Sequence, residues 1–328
     1  LALWGLLTAT SHTAWGYGAA PTVRGRAALD VVVVSTGTNT DERCLNNGSG
    51  GLACVGFNST GVNSFGIALG DVDGDGDADV VTAQSTNPDQ RCLNDGVGGF
   101  TQCASFSTST HSTRTNALGD LDGDGDLDVV AVNNGPNPSQ RCLNNGSGGF
   151  TNCADFNAGA NGYGVALGDV DGDGDLDIVV ANNFQNDVRC LNDGAGGFTN
   201  CASFNTADNS IAVALGDLDG DSDLDLVLAN TSNQAERRCL NDGSGGFTNC
   251  ASFNMLDSSY GIALGDVDGD GDLDVVIANL SQVEQRCLND GSGGFTDCAS
   301  FNTADSSRSI ALGDLDGDGD LDVALANN

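Results

Sequence analysis

A nine-residue aspartate pattern, Asp-x-Asp-Gly-Asp-Gly-Asp-x-Asp with one Gly replaced in one copy, recurs six times. It opens at Asp71, Asp120, Asp169, Asp217, Asp266 and Asp314, a period of 48 or 49 residues. A fixed period of about 20–50 residues belongs to stacked units that cannot bury their apolar faces alone. One unit reads IALGDVDGDGDLDVVIAN, a variable polar stretch, QRCLNDGSGGFTDCASFN and a second variable stretch. Four short strands fit this order: the segment ending in ALG, the β-branched run after the loop such as Leu176–Ala181, RCLND, and FTNCASF after a Gly-rich turn. No stretch has helical periodicity. Four strands per unit predict an all-β fold, a β-propeller of four-stranded blades, with the acidic loop joining first to second strand. Segments of the second-strand type number seven, starting at Leu29, Ala78, Leu127, Leu176, Leu224, Leu273 and Leu321, against six loops. The expectation is six to seven blades over residues 21–328. Either the ring closes by pairing the chain ends or, the reading we favour, this is a segment of a seven-bladed propeller with its last blade incomplete.

Twelve Cys fall into six pairs: Cys44/Cys54, Cys92/Cys103, Cys142/Cys153, Cys190/Cys201, Cys239/Cys250 and Cys287/Cys298. Zinc sites usually show short CxxC spacings, and none occurs. Partners ten or eleven positions apart suit disulfides across a hairpin, which implies an oxidising compartment. If Cys92 faces Cys103, then Leu93 faces Gln102, Asn94 faces Thr101 and Asp95 faces Phe100, leaving Gly96–Gly99 as a four-residue turn.

Net charge is −35, yet six loops of five Asp hold 30 of the 46 acidic residues, and the 11 basic residues include no Lys. No basic face can be assembled for phosphate, which excludes nucleic acid as a partner. Concentrated carboxylates call for a cation. The proposed ligand set is Asp71, Asp73, Asp75, Asp77 and Asp79 in the first loop, followed by Asp120, Asp122, Asp124, Asp126 and Asp128. The third and fourth loops supply Asp169, Asp171, Asp173, Asp175 and Asp177, then Asp217, Asp219, Asp221, Asp223 and Asp225. The last two supply Asp266, Asp268, Asp270, Asp272 and Asp274, then Asp314, Asp316, Asp318, Asp320 and Asp322. In each loop the first, third, fifth and ninth carboxylates and the seventh main-chain carbonyl can converge on one ion. Hard oxygen donors in a flexible loop select calcium over magnesium, so about six calcium ions are expected. An EF-hand would need a later Glu, where this chain has Thr82, Ala131 or Val180. Ser222 replaces the sixth-position Gly of the fourth loop, and a weaker site is expected there. Arg24 and Arg26 stand where ligands would be in a degenerate N-terminal repeat, so no calcium is expected in it.

These loops, set between short apolar strands, resemble the FG-GAP/VCBS repeats of integrin α-subunit propellers and of many bacterial secreted proteins. The resemblance is firm over residues 60–328 and looser over 17–59. Phe65-Gly66, Tyr163-Gly164 and Tyr260-Gly261 match the aromatic-Gly half of the family's name. The Gly-Ala-Pro half is not evident, and the units are shorter than integrin blades. The resemblance implies calcium loops on the face opposite the main ligand surface, and a role in interaction or adhesion.

Variation among the repeats concentrates between second and third strands (84–90, 133–140, 182–188, 230–237) and before each first strand. Strand alternation sends both sets to one face, away from the loops. Six residues before each loop stand Phe65, Arg114, Tyr163, Ile211, Tyr260 and Arg308, expected to ring the channel mouth and contact a ligand. Catalysis is not expected: the only His are His12 and His111, Lys is absent, and no GxSxG or HExxH occurs. The leading expectation is a secreted interaction or adhesion scaffold for an extracellular protein or glycan. The alternatives are a carbohydrate-binding lectin and a non-catalytic domain of a larger polysaccharide-acting enzyme. Residues 1–20, with LALWGLLTA and small residues up to Ala20, read as a truncated signal peptide. No segment is long enough to span a membrane. Asn58 and Asn279 open NxS/T sequons.

Overall fold

A computed structural model describes residues 31–33, 41–46, 51–57 and 64–327, except 107–111, 205–208, 254–257, 281 and 317. The leader, the degenerate first strand with Arg24 and Arg26, His12, His111 and Asn58 lie outside the described residues. Among those described, every regular element is a β-strand. Five sheets are complete four-stranded antiparallel meanders in sequence order, one at the N-terminal end has three strands, and one at the C-terminal end has two. In the fourth blade the strands are Gly162–Gly168, Asp177–Asn182, Asp187–Leu191 and Asn200–Phe204, and the other blades repeat this order. The propeller expectation holds.

The second strands explain why these runs are β-branched on both faces. All six residues of Asp177–Asn182 are buried, as are those of Asp79–Gln84, Asp128–Asn133, Asp225–Asn230 and Asp274–Asn279. Side chains alternate across a strand, so Ile178 and Val180 pack towards the third blade while Val179 and Ala181 pack towards the fifth. Among the described residues there is no single core. Six apolar clusters occupy six interfaces between successive blades.

The same interfaces carry a repeated set of contacts. The Phe that ends one blade meets the Phe that follows the next blade's Gly-rich turn: Phe156–Phe198 at 5.8 Å, Phe204–Phe247 at 5.1 Å and Phe253–Phe295 at 4.7 Å between ring centroids. On the outer rim, Arg141 Nε donates to the Gly196 carbonyl of the following blade. Gly66, Gly164 and Gly261 lie against the next blade's first strand, where an added Cβ would stand 2.6, 2.9 and 3.0 Å from the Cα of Thr115, Ala212 and Ser309. The aromatic-Gly pair is thus a packing requirement, and it recurs in every second blade.

All six expected disulfides form across the outer hairpins: Cys44–Cys54, Cys92–Cys103, Cys142–Cys153, Cys190–Cys201, Cys239–Cys250 and Cys287–Cys298, with Cα separations of 3.9–4.0 Å. They are those of a chain that folds in an oxidising compartment. The two ends of each bridge differ in environment. The third-strand cysteines Cys44, Cys92, Cys142, Cys190, Cys239 and Cys287 are buried in the blade interfaces. Their fourth-strand partners lie on the rim: Cys54, Cys103, Cys153 and Cys298 are exposed, and Cys201 and Cys250 are half-buried. These twelve residues therefore staple blades and hold no metal.

The hairpin register departs from the expected one beyond the cysteines. Phe100 pairs with Asn94 rather than Asp95, and the Asp95 N–H donates to the Gly99 carbonyl at 2.9 Å, so the turn has one more residue. One bulged residue on the returning strand takes up the difference. Its place varies relative to the bridge. Cys190↔Cys201, Cys239↔Cys250 and Cys287↔Cys298 face each other within a regular ladder, and in the last of these the shift falls between Leu288↔Asp297 and Asn289↔Phe295. In the third blade the ladder passes from Arg141↔Ala154 to Leu143↔Thr151, so Cys153 sits at the break itself. The extra residue there is Asn152, whose φ of 44° is left-handed, a conformation Asn tolerates better than most residues. The first hairpin keeps one register from Cys44↔Cys54 to Asn46↔Leu52, and its partners are 10 apart rather than 11. The spacing therefore records the bulge. A second correction concerns Asn279: it is buried, and its amide donates to the Val283 carbonyl at 2.8 Å, which removes it as an accessible sequon.

Candidate metal centre

Each acidic loop wraps around its own opening carboxylate. Asp71 Oδ1 accepts from the N–H of Gly74 (2.8 Å) and Asp75 (3.1 Å), and Oδ2 accepts from Gly76 (2.8 Å). The sixth position must take a left-handed backbone, φ 93° at Gly76, for that last N–H to point inward. In the fourth loop Ser222 adopts φ 78° and its N–H still reaches Asp217 Oδ2 at 3.0 Å. The geometry is retained at a cost, since a Cβ in this region strains the backbone by about 1–2 kcal/mol. Replacing Ser222 with Gly should therefore stabilise the chain by about 1 kcal/mol, raising its melting temperature by about 2 °C. Calorimetry of the S222G variant showing no rise would contradict this.

The ninth-position Asp ties the loop to the blade. Asp79 is buried; its Oδ2 accepts from the Val72 N–H (2.9 Å) and its Oδ1 from the Asn94 N–H (2.7 Å) in the outer hairpin. Asp177 repeats the arrangement with Val170 (3.0 Å) and Asn192 (2.8 Å). The side chain of that hairpin Asn then reaches back to the previous blade's loop. Asn144 donates to the Val72 carbonyl (2.8 Å), Asn192 to Leu121 (2.9 Å), Asn241 to Val170 (2.7 Å) and Asn289 to Leu218 (2.9 Å). Sequence reasoning missed this Asn, although its recurrence in every Leu-Asn-Asp/Asn-Gly turn was a signal.

Carboxylate oxygens of the first, third and ninth positions lie within 4.8 Å of one another in Asp71/Asp73/Asp79, Asp120/Asp122/Asp128, Asp169/Asp171/Asp177 and Asp217/Asp219/Asp225. The fifth Asp caps the loop, Asp75 Oδ1 accepting from the Asp77 N–H at 3.0 Å. The seventh leans on the outer hairpin, where an added Cβ on Gly96 would stand 2.9 Å from Asp77 Oδ2. One atom stands out. Oδ1 of the third-position Asp is buried and accepts no hydrogen bond in Asp73, Asp122, Asp171 and Asp219. A buried carboxylate oxygen without a donor is costly, and the same unsatisfied oxygen in four loops fits a cation held by oxygen donors.

Electrostatics agree. Burial, with the neighbouring Asp73 and Asp75 charges added to it, outweighs two backbone donors and pushes Asp79 up to about 6. Asp128, Asp177 and Asp225 are likewise raised to about 6, chiefly by burial. An acid whose folded pKa is raised stabilises the fold below its unfolded pKa, and that contribution is lost as pH rises through the folded value. With chelator present, melting should therefore fall between about pH 4 and about pH 6. If the loops take calcium, the trend should reverse in its presence, because an ion binds the ionised form. A chelated chain that melted higher at neutral than at mildly acidic pH would contradict this.

The opposite face is built from the variable stretches, and part of their variation is illusory. A buried acid opens the third strand of several blades. Asp187 Oδ1 accepts from the Asn182 N–H (2.8 Å) and its Oδ2 from the Ser210 hydroxyl of the next blade (3.1 Å); Glu236 and Glu284 accept from Ser259 and Ser307. On the first strands of successive blades the Arg114 guanidinium carbon lies 4.2 Å from the Phe65 ring centroid and 4.8 Å from that of Tyr163, while Arg308 lies 4.9 Å from Tyr260. Ile211 is buried. The structure thus brings Phe65, Arg114 and Tyr163 together and pairs Tyr260 with Arg308. A cleft of about 370 Å³ lies on the fourth blade, lined by Asn157, Gly159, Gln185, Asn186, Val188, Cys201 and Ser203. Beside it in sequence, Phe184 is 69% exposed, an aromatic that sequence reasoning passed over.

Comparisons with known proteins agree with this architecture. Among solved structures, an Agrocybe aegerita lectin, described as recognising non-reducing terminal N-acetylglucosamine, matches with TM-score 0.59 and 21% identity over 83% of this chain and 76% of that one. The BBS1N structure, in complex with ARL6DN, matches with TM-score 0.64 and 9% identity over 93% and 87%. The V. cholerae biofilm matrix protein Bap1 matches with TM-score 0.52 and 12% identity over 94% and 73%. At these identities the likeness is one of fold. No curated protein sequence matches the chain. FG-GAP-like repeats match at 71–131, 120–180, 169–228, 223–277 and 266–325, most of these matches running from one acidic loop through the next. The chain belongs to the FG-GAP-like repeat family.

Proposed function

We propose that this is a secreted, calcium-loaded propeller acting as a non-catalytic interaction scaffold, with calcium in a structural role. The observation that carries the calcium reading is the donorless Oδ1 of the third Asp, repeated in four loops. Calcium there ties each loop to its blade, and through the hairpin Asn to its neighbour, so the metal stabilises the frame. The partner surface is the opposite face, where the connections differ from blade to blade while buried acids beneath them stay fixed. Six disulfides support an extracellular setting. Among the described residues no helix is long and apolar enough to cross a membrane.

A second reading, a lectin, is favoured by one place. The cleft on the fourth blade offers the amides of Asn157, Gln185 and Asn186, and exposed Phe184 directly precedes Gln185 in the chain. Amides beside an apolar ring suit a sugar, and the Agrocybe aegerita lectin shares the fold. Probing a printed array of glycans and matrix proteins with the tagged chain, in calcium and in chelator, tests both. Calcium-dependent retention on protein spots supports the scaffold. Retention on glycans, lost in Phe184→Ala, supports the lectin, and no retention in calcium would count against both.

A further inference from the structure

Sequons of the Asn-x-Ser/Thr form, with no Pro between, stand at Asn47, Asn58, Asn145, Asn230 and Asn279. A bulky glycan can stay only on an amide that the fold leaves at the surface. Asn230 is 0% exposed; its Oδ1 accepts from the Ser210 hydroxyl at 3.0 Å and its Nδ2 donates to the Ala235 carbonyl at 2.6 Å. Asn279 is buried at the equivalent place of the sixth blade. Asn47 and Asn58 lie outside the described residues. Among the described sequons Asn145 alone is exposed, and so is Ser147, which supplies its hydroxyl. Asn145 sits in the Gly-rich turn of the third blade's outer hairpin, where its Oδ1 accepts from the N–H of Ser147 (3.1 Å) and of Gly149 (3.0 Å). Asp95, Asp193, Asp242 and Asp290 hold this position in four other blades, and one oxygen of each accepts the same pair of N–H groups. At Asp95 the Gly99 N–H, and after it the Val97 N–H, hold the carboxyl below its usual range. The turn therefore asks for an acceptor, and a carboxylate supplies it better than an amide. It uses the Oδ1 of Asn145 and not the Nδ2. Asn and Ser coincide here only in the third blade among the described turns: the second and fourth read Asp-Gly-Val and Asp-Gly-Ala, the fifth and sixth Asp-Gly-Ser.

We propose that Asn145 is a modification site, the acceptor of an N-linked oligosaccharide. The inference rests on the proposed secreted setting, in which the chain passes through an oxidising compartment. The donor is a lipid-diphosphate-linked oligosaccharide. Nδ2 attacks its anomeric carbon, a carbon–nitrogen bond forms and the carbon–oxygen bond to the diphosphate breaks. The lipid diphosphate leaves, and one amide proton passes to a base of the transferring enzyme. The turn lies on the acidic-loop side of the blade, where an added Cβ on Gly146 would stand 2.7 Å from Asp126 Oδ2. A glycan there leaves the variable connections of the opposite face uncovered.

The test is to produce the whole chain behind a secretion signal in a eukaryotic host that glycosylates, and to read its peptides by mass spectrometry. The expected result is an oligosaccharide on Asn145 in most chains that carry the Cys142–Cys153 bridge, with none on Asn230 or Asn279. Asn145→Asp and Ser147→Ala should each remove it completely. Asn145→Asp copies the turn of the other blades, so all six bridges should form in that variant as before. Bridged chains with a bare Asn145 would overturn the proposal while leaving the secreted reading, which the bridges support, in place. Chains that never form their bridges in that compartment would count against both. Equal occupancy of Asn145 and buried Asn230 in bridged chains, or occupancy of Asn145 confined to unbridged ones, would also overturn it, because the fold would then not select the site.

Discussion

Excess chelator should lower the melting temperature of the oxidised chain by tens of degrees. Extracellular calcium modules bind at roughly 10⁻⁴–10⁻³ M. A site at tenfold saturation adds about 1.4 kcal/mol, and about six such sites add about 8 kcal/mol. The stability of a whole domain is about 5–15 kcal/mol, so on the proposed reading chelation should bring the chain near its unfolding threshold. The geometry adds to this. Without an ion the first, third and ninth carboxylates crowd within 4.8 Å, and the loop they shape is the one that Asn144, Asn192, Asn241 and Asn289 grip from the next blade. Loss should therefore be cooperative across blades. Circular dichroism melting with millimolar calcium and then with excess chelator checks it, and coincident curves would contradict it.

Reduction should be as damaging. Each bridge closes a hairpin whose partners are 10 or 11 residues apart. In the chain-entropy model such a loop contributes about 3 kcal/mol, and less where the hairpin already forms locally. The bridges also bury one sulfur of each pair in an interface, Cys92, Cys190, Cys239 and Cys287 being 0% exposed. The exposed partners, Cys103, Cys153 and Cys298 among them, give a reductant its way in. Among the described residues the apolar clusters lie between blades, with no central core to hold a loosened blade. A phosphine reductant, which leaves calcium free, should unfold the chain at temperatures where the oxidised form is fully folded. The Cys190→Ala/Cys201→Ala double variant should lose about 2 kcal/mol. Unchanged melting after complete reduction, verified by thiol counting, would refute the bridges' role.

Much of this molecule was legible because the repeat writes each rule several times. The period, the second-strand runs and the cysteine spacing specified the blade, and all six bridges formed as paired. The bulge on the returning strand, between Phe100 and Cys103, escaped notice because a hairpin with regular register satisfies the cysteines equally well, and the spacing of 10 in the first hairpin against 11 in the others was its one trace in the sequence. The inter-blade contacts escaped for a different reason. Asn192 reaches Leu121, 71 residues earlier, and no local pattern marks a partner in the preceding unit. Buried Asp187, Glu236 and Glu284 sat in stretches that looked free to vary, since Asp and Glu exchange there and only the hydroxyl of the following blade shows what both satisfy. Phe65, Arg114 and Tyr163 were singled out by counting back from each loop, but stacking of Arg114 between Phe65 and Tyr163 depends on alternation between blades, a two-unit period laid over the single one.

The central claim is that the acidic loops are calcium sites, and a count decides it. The oxidised chain, stripped with chelator and desalted, should be titrated with calcium chloride by calorimetry and its bound metal measured by atomic emission. The account predicts about six ions per chain, with proton uptake by the buffer as the raised carboxyls ionise, and one ion fewer in Asp122→Asn. A chain that binds no calcium at millimolar concentration, or whose count is indifferent to the third-position Asp, would contradict it.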